Sequence, residues 1–185
     1  QIKLFQTSLA ELGCDPGKID GKWGVATETA LRFAASSLLV NFDKSLVSSK
    51  SFLNRLNQAK SLEICRDFIS YNQFKAYDNA YIDGIERCIN QVPLTTNYLI
   101  DSETCYWRND EKILQERGLL RLYDLAYDRY KNLFSLAKTS TINYHSGLIS
   151  YEQHINNTHK KALALNNELT KRMARSIGIM NLPYR

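Results

Sequence analysis

Residues 14–24 read CDPGKIDGKWG, and this run does most to limit what the chain can fold into. Asp15, Pro16, Gly17, Asp20, Gly21 and Gly24 lie too close together for a helix or strand to pass through, but they suit two tight turns in succession. The remainder of the chain reads differently. With only 8 glycines and 3 prolines in 185 residues, and with Leu, Ala, Lys, Glu, Asn and Gln common, it lacks the punctuation that many short strands require. An all-α fold is therefore expected, with residues 14–24 as an irregular connection near the start.

Helical periodicity supplies the elements. Ile2, Phe5, Leu9 and Leu12 share one face of a first helix, and Gly13 follows where a C-terminal cap belongs. Ile19 and Trp23 are the expected inward anchors of the turn run. Ala30, Leu31, Phe33 and Ala34 give a second helix its apolar face, and Phe52, Leu53 and Leu56 give a third helix beginning after Ser48. Beyond residue 58 the pattern predicts a helical hairpin, first through Leu62, Ile64, Phe68 and Ile69, then through Tyr77, Tyr81, Ile85, Cys88 and Ile89 as far as Pro93. A long helix is expected from Trp107 through Leu114, Leu122, Leu125, Ala126, Tyr130 and Leu133 to Ala137, because Gly118 weakens a helix without having to break it. Residues 139–149 read as a connection. Ser150 with Gln153 forms a capping box for a last helix through Ile155, Ala162, Leu169 and Met173, ended by Gly178 and Pro183. These two long amphipathic helices are expected to lie antiparallel, because each must bury its stripe against something nearby. The expected division is a three-helix domain over residues 1–58 and a helical hairpin or bundle over residues 59–185.

The stretch FQTSLAELGCDPGKIDGKWGVATETALRFA resembles the bacterial peptidoglycan-binding domain of the three-helix type, a likeness covering about a third of the chain. It rests on an ordered set: Leu9, Leu12 and Gly13 closing one helix, then Gly17, Ile19, Asp20, Gly21, Trp23, Gly24 and Thr27, and finally Ala30, Leu31 and Phe33. The resemblance implies a shallow groove for glycan or stem peptide, with Lys18, Asp20, Lys22, Trp23, Thr27 and Arg32 as its candidate ligand-binding residues. Most of the motif also serves as scaffold: Trp23 can anchor a core, Asp20 can form a turn and the lysines can be solvated charges. Where family members carry a second Asp-Gly turn after Phe-Gln, this chain has Phe33-Ala34 and then Asn41, Phe42, Asp43 and Lys44.

Four cysteines, none in CxxC spacing, do not suggest a zinc site; they fit two disulfides in an exported protein or four buried thiols in a cytosolic one. Cys14 stands where the family often has an aromatic residue, and the likeness is to a cysteine-bearing variant in which a second cysteine follows the third helix, as Cys65 does. That resemblance implies Cys14 with Cys65, leaving Cys88 with Cys105 to close a loop across Pro93. The rival is Cys65 with Cys88, which two helices turning near Tyr77 would bring level. It also implies a periplasmic or secreted bacterial envelope protein.

No catalytic residue, metal site or cofactor is expected. His154 and His159 are five apart, on different faces of a helix, and neither a GxSxG elbow nor a P-loop is present. A lysozyme-like hydrolase would need a buried acid such as Glu86, Glu103, Glu111 or Glu116, and nothing in the sequence singles one out. Net charge is +5, with the charges interspersed, which suits mild attraction to anionic cell-wall polymer. No apolar run approaches the ~20 residues that cross a bilayer, so no transmembrane segment is expected. The expected function is that of a non-catalytic envelope protein binding peptidoglycan through its first domain. The alternatives are a cell-wall hydrolase, and an adaptor whose first module has lost wall binding. The expected partners are peptidoglycan, an envelope protein, or a second copy meeting through residues 105–175; nucleic acid is not expected.

Overall fold

A computed structural model describes residues 1–180 and 182, and among these the chain forms seven α-helices and no strand. The first three helices are short and are fixed by local signals: α1 (Ile2–Glu11), α2 (Val25–Ser37) and α3 (Lys50–Gln58). Ser49 caps α3, its hydroxyl accepting from the Phe52 N–H at 3.1 Å. Phe5, Leu9, Leu31, Ala34, Phe52 and Leu56 are buried together, so each helix contributes the face its periodicity predicts. Cys14 is bonded to Cys65, and Ala59, Cys65 and Phe68 join the same buried cluster, so this core extends past residue 58.

The helix expected through Leu62 to Ile69 is absent. Residues 63–70 are irregular, Glu63 takes a left-handed φ of 47°, and Phe68 and Ile69 are buried without belonging to a helix. Regular structure resumes at α4 (Tyr71–Gln91), opened by a reciprocal cap in which the Gln73 N–H donates to the Ser70 hydroxyl and the Ser70 N–H donates to Gln73 Oε1.

The long helix expected from Trp107 to Ala137 is instead two, α5 (Tyr98–Glu116) and α6 (Tyr123–His145). Gly118 is the cause: it sits at φ +66°, the Leu119 N–H donates to the Leu114 carbonyl at 2.8 Å, and the Gly118 N–H donates to Gln115. That pattern closes a helix around a left-handed residue, a conformation an L side chain resists. Because α6 runs on to His145, the connection expected over 139–149 shrinks to residues 146–150. The last helical run starts at the Ser150–Gln153 capping box, passes through a π turn at Gln153–Asn157 and continues as α7 (Thr158–Ser176). Pro183 lies outside the described residues.

The chain divides into two compact units, residues 1–75 with 174–185, and residues 76–173. In the second, α4, α5, α6 and α7 form an antiparallel four-helix bundle. Cys88 is bonded to Cys105 while Tyr77 meets Asp110; Asp110 meets Arg129 while Trp107 meets Tyr130; and Ser140 meets His154 while Arg129 meets Thr170. Each pairing links positions whose numbers fall on one helix as they rise on the next, as consecutive helices joined by short turns require.

Candidate functional site

In the first unit, the turn run folds around one side chain. Gln6 of α1 is buried, and its amide nitrogen donates to the Lys22 carbonyl at 3.0 Å and to Thr27 Oγ1 at 3.1 Å while its oxygen accepts from the Gly21 N–H at 2.8 Å. Gly21 sits at φ +78°, so the tight turn expected at Asp20–Gly21 is formed where a β-carbon would be strained. The Thr27 hydroxyl in turn donates a hydrogen bond to the Pro16 carbonyl at 3.0 Å. The Asp20 carboxylate accepts from the Lys22 N–H at 2.9 Å, and that backbone hydrogen bond holds its pKa below the usual carboxylate value.

These turns border an open cleft of about 420 Å³. Five of the six candidate residues line it: Lys18, Asp20, Lys22, Trp23 and Thr27. Lys18, Asp20 and Lys22 are exposed, Thr27 is buried, and Trp23 is half-buried against the core with its ring N–H donating to Glu28 Oε2 at 3.2 Å. Arg32 is not in the cleft. Its guanidinium pairs with Glu28 at 2.8 Å and lies 3.9 Å from the centre of the Phe42 ring, so it steadies Glu28 beneath Trp23. Ile19, expected as an inward anchor, is 40% exposed and leaves that role to Trp23 alone. Tyr71 and Asn72 also reach the cleft, and Asn72 donates to Asp15 at 3.4 Å.

The second unit holds two buried polar arrangements that periodicity did not reveal. Arg129, 1% exposed, donates to Asp110 at 2.6 Å, to the Tyr77 hydroxyl at 2.7 Å and to Thr170 at 2.9 Å, and its guanidinium lies 3.6 Å from the Tyr81 ring centre. Both partners of this buried ion pair make further hydrogen bonds, and the pair serves the bundle's architecture. Two turns before Asp110 on α5, Glu103 borders a cavity of about 330 Å³ walled in part by Ile85, Leu99, Leu133, Ala137 and Leu163. Glu103 is 7% exposed and, among the described residues, has neither a hydrogen bond nor an ion pair. Burial raises its pKa to about 7, against an opposing pull from the Arg129 charge. The other glutamates considered, Glu86, Glu111 and Glu116, are exposed.

The cavity carries a single carboxyl group, whereas glycoside hydrolysis by paired acids requires a second facing it across the scissile bond. His159 borders the same cavity, stacked on Tyr98, while His154 is buried at the π turn with Nδ1 at 2.8 Å from the Ser140 hydroxyl. Among the described residues no three His, Cys, Asp or Glu side chains group as a metal site, and no helix is long and apolar enough to cross a membrane. Comparison with known proteins gave no match to a family model, a curated protein or a solved structure.

Proposed function

We propose that the chain is a non-catalytic bacterial envelope protein, periplasmic or secreted, that holds peptidoglycan in the cleft of its first unit and offers its helical bundle to a partner. The observation that carries this reading is the convergence of Lys18, Asp20, Lys22, Trp23 and Thr27 on one open cleft whose floor is fixed by the Gln6 amide. A half-buried indole beside exposed ammonium groups suits a sugar ring bearing acidic substituents: the ring packs on the aromatic surface and the lysines meet the carboxylates of the stem peptide. Two disulfides accord with an oxidising compartment. On the bundle, Trp107 packs with Tyr123, Tyr127 and Tyr130 at ring-centre distances of 5.2–5.3 Å, and these partly exposed aromatics make a surface suited to another protein or to a second copy.

The test is sedimentation of the full disulfide-bonded chain with insoluble sacculi while soluble muropeptides are assayed. Lys18→Glu with Lys22→Glu changes only exposed groups and should abolish co-sedimentation without affecting the fold; Trp23→Ala should do the same, provided circular dichroism shows an intact helix content. Release of muropeptides would make the protein a hydrolase. Failure of the folded wild type to sediment would leave the cleft without its proposed ligand.

A further inference from the structure

The cavity beside Glu103 is unrelated to the cleft, and it combines features that a structural core avoids. A buried carboxyl group normally has a cation or several hydrogen-bond donors, because leaving it without them costs the fold free energy. Here the cation that acts on Glu103, Arg129, is already bonded to Asp110, Tyr77 and Thr170, and Lys160, which also borders the cavity, is exposed to solvent. Two further buried polar atoms on the cavity residues lack a formed hydrogen bond among the described residues, Ser102 Oγ and His159 Nε2. Ser102 is 2% exposed and lies beside the Tyr106 hydroxyl, and burial lowers the pKa of His159, favouring its neutral ring. Tyr81, Tyr106, Thr158, Asn166 and the exposed Lys160 also border the cavity, and the remainder of its wall is hydrocarbon.

We propose that this cavity binds an amphipathic organic cation, a primary alkylammonium whose charged head meets Glu103 and whose hydrocarbon body lies among Ile85, Leu99, Leu133 and Ala137. An ammonium group has three N–H donors and no acceptor. The cavity offers it a carboxylate, the Ser102 hydroxyl oxygen and the His159 ring nitrogen, three groups with unmet capacity. A carboxylate ligand would instead place like charge against Glu103, and an alcohol would leave the carboxylate uncompensated. The volume of about 330 Å³ equals that of roughly eleven waters, room for a chain of about eight to ten carbons with its head.

Binding also has a proton signature. An ammonium ion favours ionised Glu103, so its arrival expels the proton that burial retains, and affinity should rise with pH up to about 7 and level off above it. The experiment is isothermal titration of the full disulfide-bonded chain with n-octylammonium chloride, with 1-octanol and sodium octanoate as matched probes, at pH 6, 7 and 8 in two buffers of different ionisation enthalpy. One octylammonium per chain is expected, at least ten-fold tighter than either matched probe, with proton release at pH 6 that vanishes by pH 8. Glu103→Gln should weaken octylammonium at least ten-fold. Leu163→Arg alters a lining position that is 63% exposed, so it preserves the fold, and its added charge should weaken octylammonium while sparing octanol. Equal affinity for octanol or octanoate, unchanged affinity in both variants, or no heat with octylammonium at millimolar concentration would each overturn the assignment.

Discussion

Replacing Glu103 by glutamine should stabilise this protein at alkaline pH, although it removes a charge and adds no contact. Burial raises the Glu103 pKa from 4.5 to about 7, which corresponds to about 3 kcal/mol of differential stability between its protonated and ionised forms. Because the folded-state pKa lies above the unfolded one, the folded chain retains a proton that the unfolded chain has lost between pH 4.5 and 7. The protonated group's advantage is complete below pH 4.5, and it is lost as the pH climbs through 7. Glutamine has nearly the same shape and cannot ionise, so Glu103→Gln should match wild type near pH 4.5 and exceed it by about 3 kcal/mol at pH 8. Urea unfolding of both proteins from pH 4.5 to 8.5, without reductant and followed by far-ultraviolet circular dichroism, measures the difference directly. Other titrating groups, His154 and His159 among them, are common to both proteins and cancel to first order. A wild-type-minus-variant difference that stays flat across the range would refute the reasoning, because it would mean that Glu103 ionises in the fold as freely as in the unfolded chain.

Three further outcomes are expected. Asp110→Asn leaves the buried Arg129 without its counter-ion and should cost about 3–5 kcal/mol in urea unfolding at neutral pH, whereas Asp110→Leu with Arg129→Met should recover most of that loss. Leu39 sits at φ 55° with its side chain 94% exposed at the end of α2, so Leu39→Gly should relieve backbone strain and raise stability by about 1 kcal/mol, a gain of roughly 2–4 °C in melting temperature. Cys14→Ser with Cys65→Ser opens a link spanning 51 residues and should cost about 4 kcal/mol, against about 3 kcal/mol for Cys88→Ser with Cys105→Ser, whose link spans 17; equal losses in denaturant melts would count against a chain-entropy origin.

The helices were legible wherever burial is purely apolar. Phe5, Leu9, Leu31, Phe52 and Leu56 recur at helical spacing, and each enters the core of the first unit. Two boundaries were missed for local backbone reasons. Gly118 was read as a weak point, but the left-handed closure there needs an αL residue that the chain has in the right place, and apolar residues on either side disguised the break. Residues 62–69 carry helical spacing, yet the link at Cys65 and the left-handed Glu63 hold them irregular. The cleft residues were named from the resemblance to the peptidoglycan-binding domain, which implies a groove at these turns; Arg32 does not line the cleft, because Glu28 and Phe42 claim its side chain, which a helix position alone does not show.

The bundle's inward face was harder to read because it is partly charged. Along α5 that face runs Leu99, Ser102, Glu103, Asp110, Ile113 and Leu114, whereas the apolar reading followed Trp107, whose ring lies on the aromatic side with Tyr123 and Tyr130. Glu103 and Asp110 are seven residues apart, two turns, and Arg129 falls between Ala126 and Leu133 on α6: charges at seam positions were the available signal. The two acids then diverge by environment. Asp110 meets Arg129 and Tyr77 within 2.7 Å, so its burial is compensated and breaking the arrangement can only cost stability. Glu103 has the same backbone setting and no partner, beside a cavity large enough to admit one. A fold that stabilises one buried carboxylate fully could have buried leucine at the other position at no loss. An ammonium head that enters the cavity and meets the Glu103 charge returns the free energy given up there, and on that proposal Glu103 is a binding group and Asp110 part of the frame.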